Sequence, residues 1–313
     1  MEFHTSDPAG GLPSARAALA AKKLPRAGSD LMIALDIDGT ILGHDGSLSP
    51  RVKEAVHAHL EAGTKLMLAT GRGIHGTELA LGQLEMTEGV AVCSNGAITL
   101  GLGHTFLPHP VLGGRQIAES RSKLRSLDVG SAFRVLRYTT FDPREQVLQL
   151  HEALPEALLA VEELDGPRRV NRDFPPGELS GPSLVLPIDQ IGVPDATRLT
   201  VRATELTSEE LYSAVHAIGM EGVEYAVGWS AWLDVSPFGI SKGAALEDLR
   251  IALGIAANAT VAVGDGGNDR EMLRWAEFGV AMGGSSPRVL AAADAQTKPV
   301  GEDGLDEVLE PLY

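Results

Sequence analysis

Two short phrases carry most of the chemistry this sequence can do: Asp36-Ile37-Asp38-Gly39-Thr40 and Asp265-Gly266-Gly267-Asn268-Asp269. Each supplies two carboxylates beside a glycine turn. Carboxylates gathered in one pocket repel one another and are costly to bury unless a cation compensates. A hard divalent ion such as magnesium does so, binding through one or two carboxylates, waters and the oxygens of a substrate phosphate. Thr70 and Lys242 add a hydroxyl and an ammonium that suit the same phosphate. Any one of the four acids, taken alone, could simply cap a helix or solvate a turn. What sets them apart is that the surrounding elements place them alike.

Those elements are legible in order. Leu31-Met32-Ile33-Ala34-Leu35 is a short apolar run that reads as a buried strand, ended at Asp36 and turned at Gly39. A helix follows, with Ser49 as N-cap, Pro50 at its first position and Gly63 as its stop. Val52, Val56 and Leu60 form its buried stripe. A strand at 65–69 leads into Thr70-Gly71-Arg72-Gly73, a helix at 74–84 follows, and a strand at 90–93 leads into Ser94-Asn95-Gly96. The pattern loosens from about His104 to Gly228. It returns with strands at 232–235, 260–264 and 279–282, and helices at 241–253, 286–293 and 305–312.

Alternating strands and helices predict a doubly wound α/β core with a parallel sheet and right-handed crossovers. The loosened middle predicts an inserted second unit. The division expected is a mobile tail at 1–30 (with a short helix near 15–23), a core at 31–105 and 229–313, and an α+β insert at 106–228. In such sheets ligands bind beyond the carboxyl ends of the strands. Asp36, Asp38, Asp265 and Asp269 all fall there. Asp36 and Asp38, two apart, project to one side unless the turn at Gly39 re-aims the second.

At this point the residues resemble a known family. Asp36-Ile37-Asp38-Gly39-Thr40, Ala69-Thr70-Gly71-Arg72, Ser241-Lys242-Gly243 and Gly264 to Asp269 are similar, in order, to the four motifs of the haloacid dehalogenase-like phosphatases. Ser94-Asn95-Gly96-Ala97, 240–246 and 268–273 resemble its Cof-type branch. The resemblance implies a Rossmann-like core with a large inserted α/β cap. It implies a magnesium-dependent phosphatase that acts on a small phosphorylated metabolite through an aspartyl-phosphate. Asp36 would be the nucleophile and Asp38 the general acid and base. Thr70, Gly39, Gly71, Arg72, Asn95, Lys242 and Asn268 would hold phosphate or substrate. The metal set would be Asp36, Asp38 (through its backbone carbonyl), Asp265 and Asp269. The sequence departs from the branch at Gly284, where an asparagine is usual.

Bulk composition narrows the setting. The 313 residues are 44% apolar, enough for a real core, and the formal net charge is −16. Such a surface repels nucleic acid and anionic membranes at long range, so an anionic substrate needs a local cation. Cys93 is the single cysteine, which excludes an internal disulfide and fits a reducing cytoplasm. No apolar run approaches the roughly 20 residues needed to span a bilayer. Asp7, Lys22, Lys23 and Arg26 interrupt any secretory signal. Monomer and homodimer both remain open.

Competing readings exist. Gly71-Arg72-Gly73-Ile74-His75-Gly76 matches the dinucleotide-binding G-x-G-x-x-G pattern, although the acid expected about 20 residues on is missing. A phosphomutase of the same fold and a catalytically idle binding protein are further alternatives. The histidines at 44, 57, 59, 104 and 109 read as surface or packing residues, with His75 set apart because it follows the phosphate turn. Trp229, Trp232 and Tyr225 read as hydrophobic packing. Arg115, Arg121, Arg134 and Arg137 are the insert's candidates for a second anionic group on the substrate.

Overall fold

The computed structural model describes residues 11–103, 133–220, 223–227 and 231–313. Its strands, in chain order, are β1 (Met32–Leu35), β2 (Lys65–Ala69), β3 (Gly89–Cys93), β4 (Ile98–Leu102), β5 (Phe133–Tyr138), β6 (Leu158–Glu163), β7 (Arg168–Val170), β8 (Ser183–Val185), β9 (Ala196–Arg202), β10 (Val223–Val227), β11 (Trp232–Pro237), β12 (Thr260–Gly264), β13 (Phe278–Ala281) and β14 (Ala295–Gln296). The helices are α1 (Ala15–Leu19), α2 (Pro50–Glu61), α3 (Ile74–Leu84), α4 (Arg144–Ala153), α5 (Ile188–Ile191), α6 (Ser208–Ile218), α7 (Lys242–Ala252), α8 (Arg270–Trp275), α9 (Pro287–Leu290) and α10 (Asp306–Leu309).

The first sheet has the order β14-β13-β12-β1-β2-β3-β4-β5. It is parallel from β14 to β3, and β4 and β5 are added antiparallel. Both of its faces are covered. Ile33 and Leu35 of β1 pack with Val52 and Val56 of α2, Leu81 of α3 and Leu309 of α10. Met32 and Ala34 pack on the opposite face with Leu246 of α7 and Met272 of α8. Burial on both sides is why β1, β3 and β13 are apolar throughout rather than alternating. The chain leaves β1 toward β2 and returns on its other side at β12, so the sheet's switch point lies between β1 and β12.

The second sheet has the order β10-β11-β9-β6-β7-β8 and is antiparallel except at β7 and β8. Here the alternation is clear. Leu159, Val161, Leu199, Val201, Leu233 and Val235 form a third core with Leu150 of α4 and Leu211 of α6. The alternate positions Glu162, Arg198, Thr200 and Asp234 take the other face, and they too are buried.

Three expectations change here. The strand at 232–235 was expected to rejoin the core. Instead β11 pairs with β10 and β9, because the antiparallel hairpin from Val223↔Pro237 to Val227↔Leu233 completes the second sheet. Conversely, β5 lies within the expected insert but pairs with β4 in the first sheet. Residues 11–30, expected as part of a mobile tail, pack onto the core. Ala15 and Leu19 sit one turn apart and are buried, Lys22 pairs with Glu277, and the Ala27 N–H donates to the Leu312 carbonyl. Residues 1–10, His104, His109, Arg115, Arg121, Trp229 and the side chain of Tyr225 lie outside what is described. Among the described residues no helix is long and apolar enough to cross a membrane.

His59, read as surface or packing, is a buried tie between α2 and α10. Its Nε2 lies 3.0 Å from the Leu309 carbonyl and must donate to it. Its Nδ1, 3.1 Å from Thr64 Oγ1, is then the acceptor, and the same hydroxyl accepts from the Gly28 N–H at 3.0 Å. Burial lowers its pKa, despite the Leu309 contact that favours the proton. A histidine whose folded pKa lies below its unfolded one supports full stability above the unfolded value, about 6.5, and loses it as pH falls through the range below. The melting temperature should therefore drop more steeply between pH 7 and pH 5 in the wild type than in His59→Gln. Equal slopes in the two melting series would remove His59 from the pH response.

Candidate active site

The four acidic positions do not share one environment. Asp36 follows β1, and its N–H is held by the Val263 carbonyl of β12 at 3.0 Å. Asp265 follows β12, and Asp269 closes the short 3₁₀ turn Gly267–Asp269. One carboxylate oxygen from each of Asp36, Asp265 and Asp269 lies within 4.8 Å of the others. Asp269 Oδ2 accepts from the N–H groups of Asp265 (3.0 Å) and Gly266 (2.8 Å), which fixes the turn.

Lys242 reaches this cluster from the N-terminus of α7, where the Ser241 hydroxyl accepts from the Ala244 N–H. Its ammonium donates to Asp36 Oδ1 and Asp269 Oδ1, each at 2.6 Å, and the side chain is 0% exposed. Gly243 makes that reach possible. A Cβ there would come within 2.9 Å of the Glu271 backbone, so only glycine lets α7 approach α8 this closely.

Burial and mutual repulsion disfavour the charged forms of the Asp36 and Asp265 carboxylates. Burial, then repulsion from Asp269, raises the Asp36 pKa well above the usual carboxylate range, even beside Lys242. Burial and Asp269 likewise push Asp265 up to about 7. Burial alone would lower Lys242, but the carboxylates of Asp269 and Asp36 hold it above its ordinary value.

Asp38 is turned away from this cluster. Its carboxylate takes a bidentate pair from Arg72, Nε at 2.8 Å and Nη2 at 2.6 Å, and its side chain is 43% exposed. The carboxylate of Asp38 is thus not among the gathered metal ligands, and the Arg72 guanidinium expected on phosphate is engaged by Asp38 and the Gly76 carbonyl. Separation by the Gly39 turn accounts for both. Gly39 adopts φ +81, and a side chain there would collide with the Asp265 carboxylate. The backbone at Gly39 therefore lies against Asp265.

The remaining predicted residues gather beside them. Thr70 is buried, with its hydroxyl accepting from the Arg72 N–H at 3.1 Å. Asn95, at φ +54, accepts on Oδ1 from Asn268 Nδ2 at 2.9 Å. A Cβ on Gly71 would touch Asn268 and Asn95 and reach Asp234 at 3.0 Å. Gly39, Asn95, Lys242, Asp265 and Asn268 line one cleft of about 1110 Å³ between the two sheets.

Asp234, Arg198 and Glu162 of the second sheet were not foreseen. Asp234 accepts from Asn95 Nδ2 (3.1 Å), Thr200 (3.0 Å) and the Trp232 indole (3.1 Å). Arg198 donates to the Gly71 carbonyl and, at 2.8 Å, to Glu162, which also pairs with Arg168 at 3.0 Å. Burial opposes the charge on Glu162, but the two arginines outweigh it and hold its pKa below the usual range. The signal available was the charged or polar residue set among apolar ones: Glu162 after Val161, Arg198 and Thr200 on either side of Leu199, and Asp234 between Leu233 and Val235. Glu162 also fills the space over Gly73 where the pyrophosphate of a dinucleotide would lie, which counts against the G-x-G-x-x-G reading. Arg137, offered for a second anion, is committed to Asp248.

Comparison with known proteins agrees with this geometry. The haloacid dehalogenase-like hydrolase family matches residues 33–107 and 190–309. The chain is 27% identical over 287 residues to YxeH of Bacillus subtilis, a candidate phosphatase, covering 90% of this chain and 97% of that protein. It is 25% identical over 292 residues to YitU of Bacillus subtilis, a 5-amino-6-(5-phospho-D-ribitylamino)uracil phosphatase, with the same coverage. Its fold matches that of BT4131, a subclass IIB sugar phosphatase, at a TM-score of 0.67 with 22% identity, over 90% of this chain and all of that one. The chain belongs to the haloacid dehalogenase-like hydrolases and is an enzyme of their phosphatase and phosphotransferase kind.

Proposed function

We propose that the protein is a magnesium-dependent phosphatase of a small, hydroxylated phosphomonoester, working through an aspartyl-phosphate on Asp36. The observation that carries this reading is the convergence of Asp36, Asp265 and Asp269 on the buried ammonium of Lys242. Three carboxylates against one ammonium leave two negative charges when all are ionised, and a divalent cation restores neutrality. The fit is also geometric. Opposed oxygens around magnesium stand about 4.2 Å apart, at 2.0–2.1 Å from the ion, and the three carboxylates gather on that scale. Asp36, Asp265, Asp269 and the backbone carbonyl of Asp38 would hold the ion. When bound, it supplies charge neutralisation for the transferring phosphoryl group and keeps Asp36 ionised.

The rest of the chemistry belongs to the chain. An Asp36 carboxylate oxygen attacks phosphorus as the bond to the leaving oxygen breaks, giving the mixed anhydride. Asp38 gives the leaving oxygen its proton and later takes one from the water that hydrolyses the anhydride, releasing phosphate and restoring Asp36. To do this its carboxylate must exchange Arg72 for the reacting oxygens. Thr70, Lys242, Asn268 and the N–H groups of the Gly71 turn would hold the phosphate oxygens. The second sheet, which we assign to a cap inserted in the core, excludes water over the cleft. Sugar and polyol phosphates suit a cleft walled largely by Gly, Ser and Asn, and related proteins are named for substrates of that kind.

Hydrolysis of an aryl phosphate should require magnesium, stop with chelator, and fall by at least about a thousandfold in Asp36→Asn. Turnover that survives both chelation and this substitution would place the chemistry elsewhere.

The contact between Asp234 and Asn95 should also be read in rate. Asp234→Ala and Asn95→Ala should each lower kcat by about tenfold or more, and the double variant should fall no further than the worse single one. Strictly multiplicative losses would mean that the cap does not set the phosphate turn through this pair.

A further inference from the structure

We infer that the substrate carries a second anionic group, received by Arg270 and Arg288 on the wall of the same cleft. This rests on the proposed function, which puts the phosphate at the Lys242 end. Acids outnumber bases in this chain by 42 to 26, and most arginines among the described residues are engaged. Among the described residues, only Arg270, Arg274 and Arg288 have neither a hydrogen bond nor an ion pair, and two of these three line the cleft. In a protein with a surplus of carboxylates, guanidinium groups left without one at a binding cleft are available to a ligand.

The two arginines are held differently. Arg288, at the start of α9, lies over the ring of Tyr212 on α6, with its central carbon 4.8 Å from the ring centroid. That stacking joins the core wall to the cap wall. It holds the guanidinium against the ring, and its N–H groups have no protein acceptor and can take a bidentate one. Arg270 begins α8, directly after Asp269. Its Nε is buried with no acceptor, an arrangement that costs stability until an acceptor arrives. Glu209 and Glu271 also face the cleft, yet neither comes within ion-pair distance, 4.0 Å, of either guanidinium. Planar forks of this kind match a carboxylate or a phosphate equally well, so the class is a phosphomonoester with a further carboxylate or phosphate.

The test uses the full chain with magnesium and two matched pairs: glycerol 3-phosphate against 3-phosphoglycerate, and fructose 6-phosphate against fructose 1,6-bisphosphate. At least one doubly anionic member should have a kcat/KM about tenfold or more above its partner, and that ratio should collapse toward one in Arg288→Gln and in Arg270→Gln. The two pairs separate a carboxylate from a second phosphate. Titration calorimetry of Asp36→Asn with the same four compounds reads the preference without turnover. Ratios near one in both pairs, or ratios untouched by the two substitutions, would overturn the inference. Absence of aryl phosphate hydrolysis would instead overturn the phosphatase reading, while the calorimetric preference would still decide this one.

Discussion

The ammonium of Lys242, fully buried between the carboxylates of Asp36 and Asp269, is the interaction on which the rest of the site depends. A buried charge is tolerable only when paired and hydrogen-bonded. Here the pairing joins three separate pieces of chain: the end of β1, the start of α7 and the turn after β12. The sheet order supplies the first and third, because β1 and β12 are neighbours at the switch point. The glycine at 243 supplies the second by letting α7 and α8 close on each other. Since Asp269 also grips the backbone of Asp265 and Gly266, the same ion pair orients the loop that carries the third carboxylate.

The second sheet meets this arrangement with an inverted design. An antiparallel sheet normally turns its polar face to water. Here Glu162, Arg198, Thr200 and Asp234 lie on a polar face that is buried, so each must find partners within the protein. They find them partly across the strands, as in the directly opposed pair Glu162 and Arg198, and partly in the first sheet's loops. Arg198 reaches the Gly71 carbonyl, and Asp234 reaches Asn95, which in turn holds Asn268. The turn that would hold phosphate is therefore stabilised from the second sheet as well as from the first. Arg198 Nε is left without an acceptor, but the remaining groups named here are paired, and paired polar networks specify one arrangement more sharply than apolar contact does.

Much of the first sheet was legible in the sequence, for physical reasons that can be named. Strands β1, β2 and β12 are doubly buried and bounded by glycine turns, so their apolar runs stand out. Helix α2 carries its own start and stop signals, and the structure keeps both Pro50 and Gly63 in those places. The motif residues were legible because chemistry restricts their types. Partner choice was not. Trp232-Leu233-Asp234-Val235 alternates in the same way whichever sheet it joins, and only the hairpin with β10 decides the matter. The docking of α1 rests on two apolar positions one turn apart, too short a stripe to register as a helix face. The pairing of Asp38 with Arg72 joins residues 34 apart through rotamers that no spacing rule contains. Arginines for a second anion were sought in the insert, whereas Arg270 and Arg288 stand at the starts of α8 and α9.

An acidic protein that takes an anionic substrate presents an electrostatic conflict only at long range. The net charge of −16 belongs to the chain as a whole, and physiological salt screens exposed charges beyond about 8 Å. Inside the cleft the relevant charges are the near ones. At one end three carboxylates outnumber a single ammonium, which favours a divalent cation and, through it, a phosphate. Toward the other wall two guanidinium groups stand without carboxylate partners. The surface as a whole discourages polyanions such as nucleic acid, whose many phosphates extend far beyond the cleft. A small molecule with its anionic groups set a few ångströms apart meets only the local cations. With the cations local to the cleft, charge spacing, rather than charge alone, is the property on which selection by this cleft would turn.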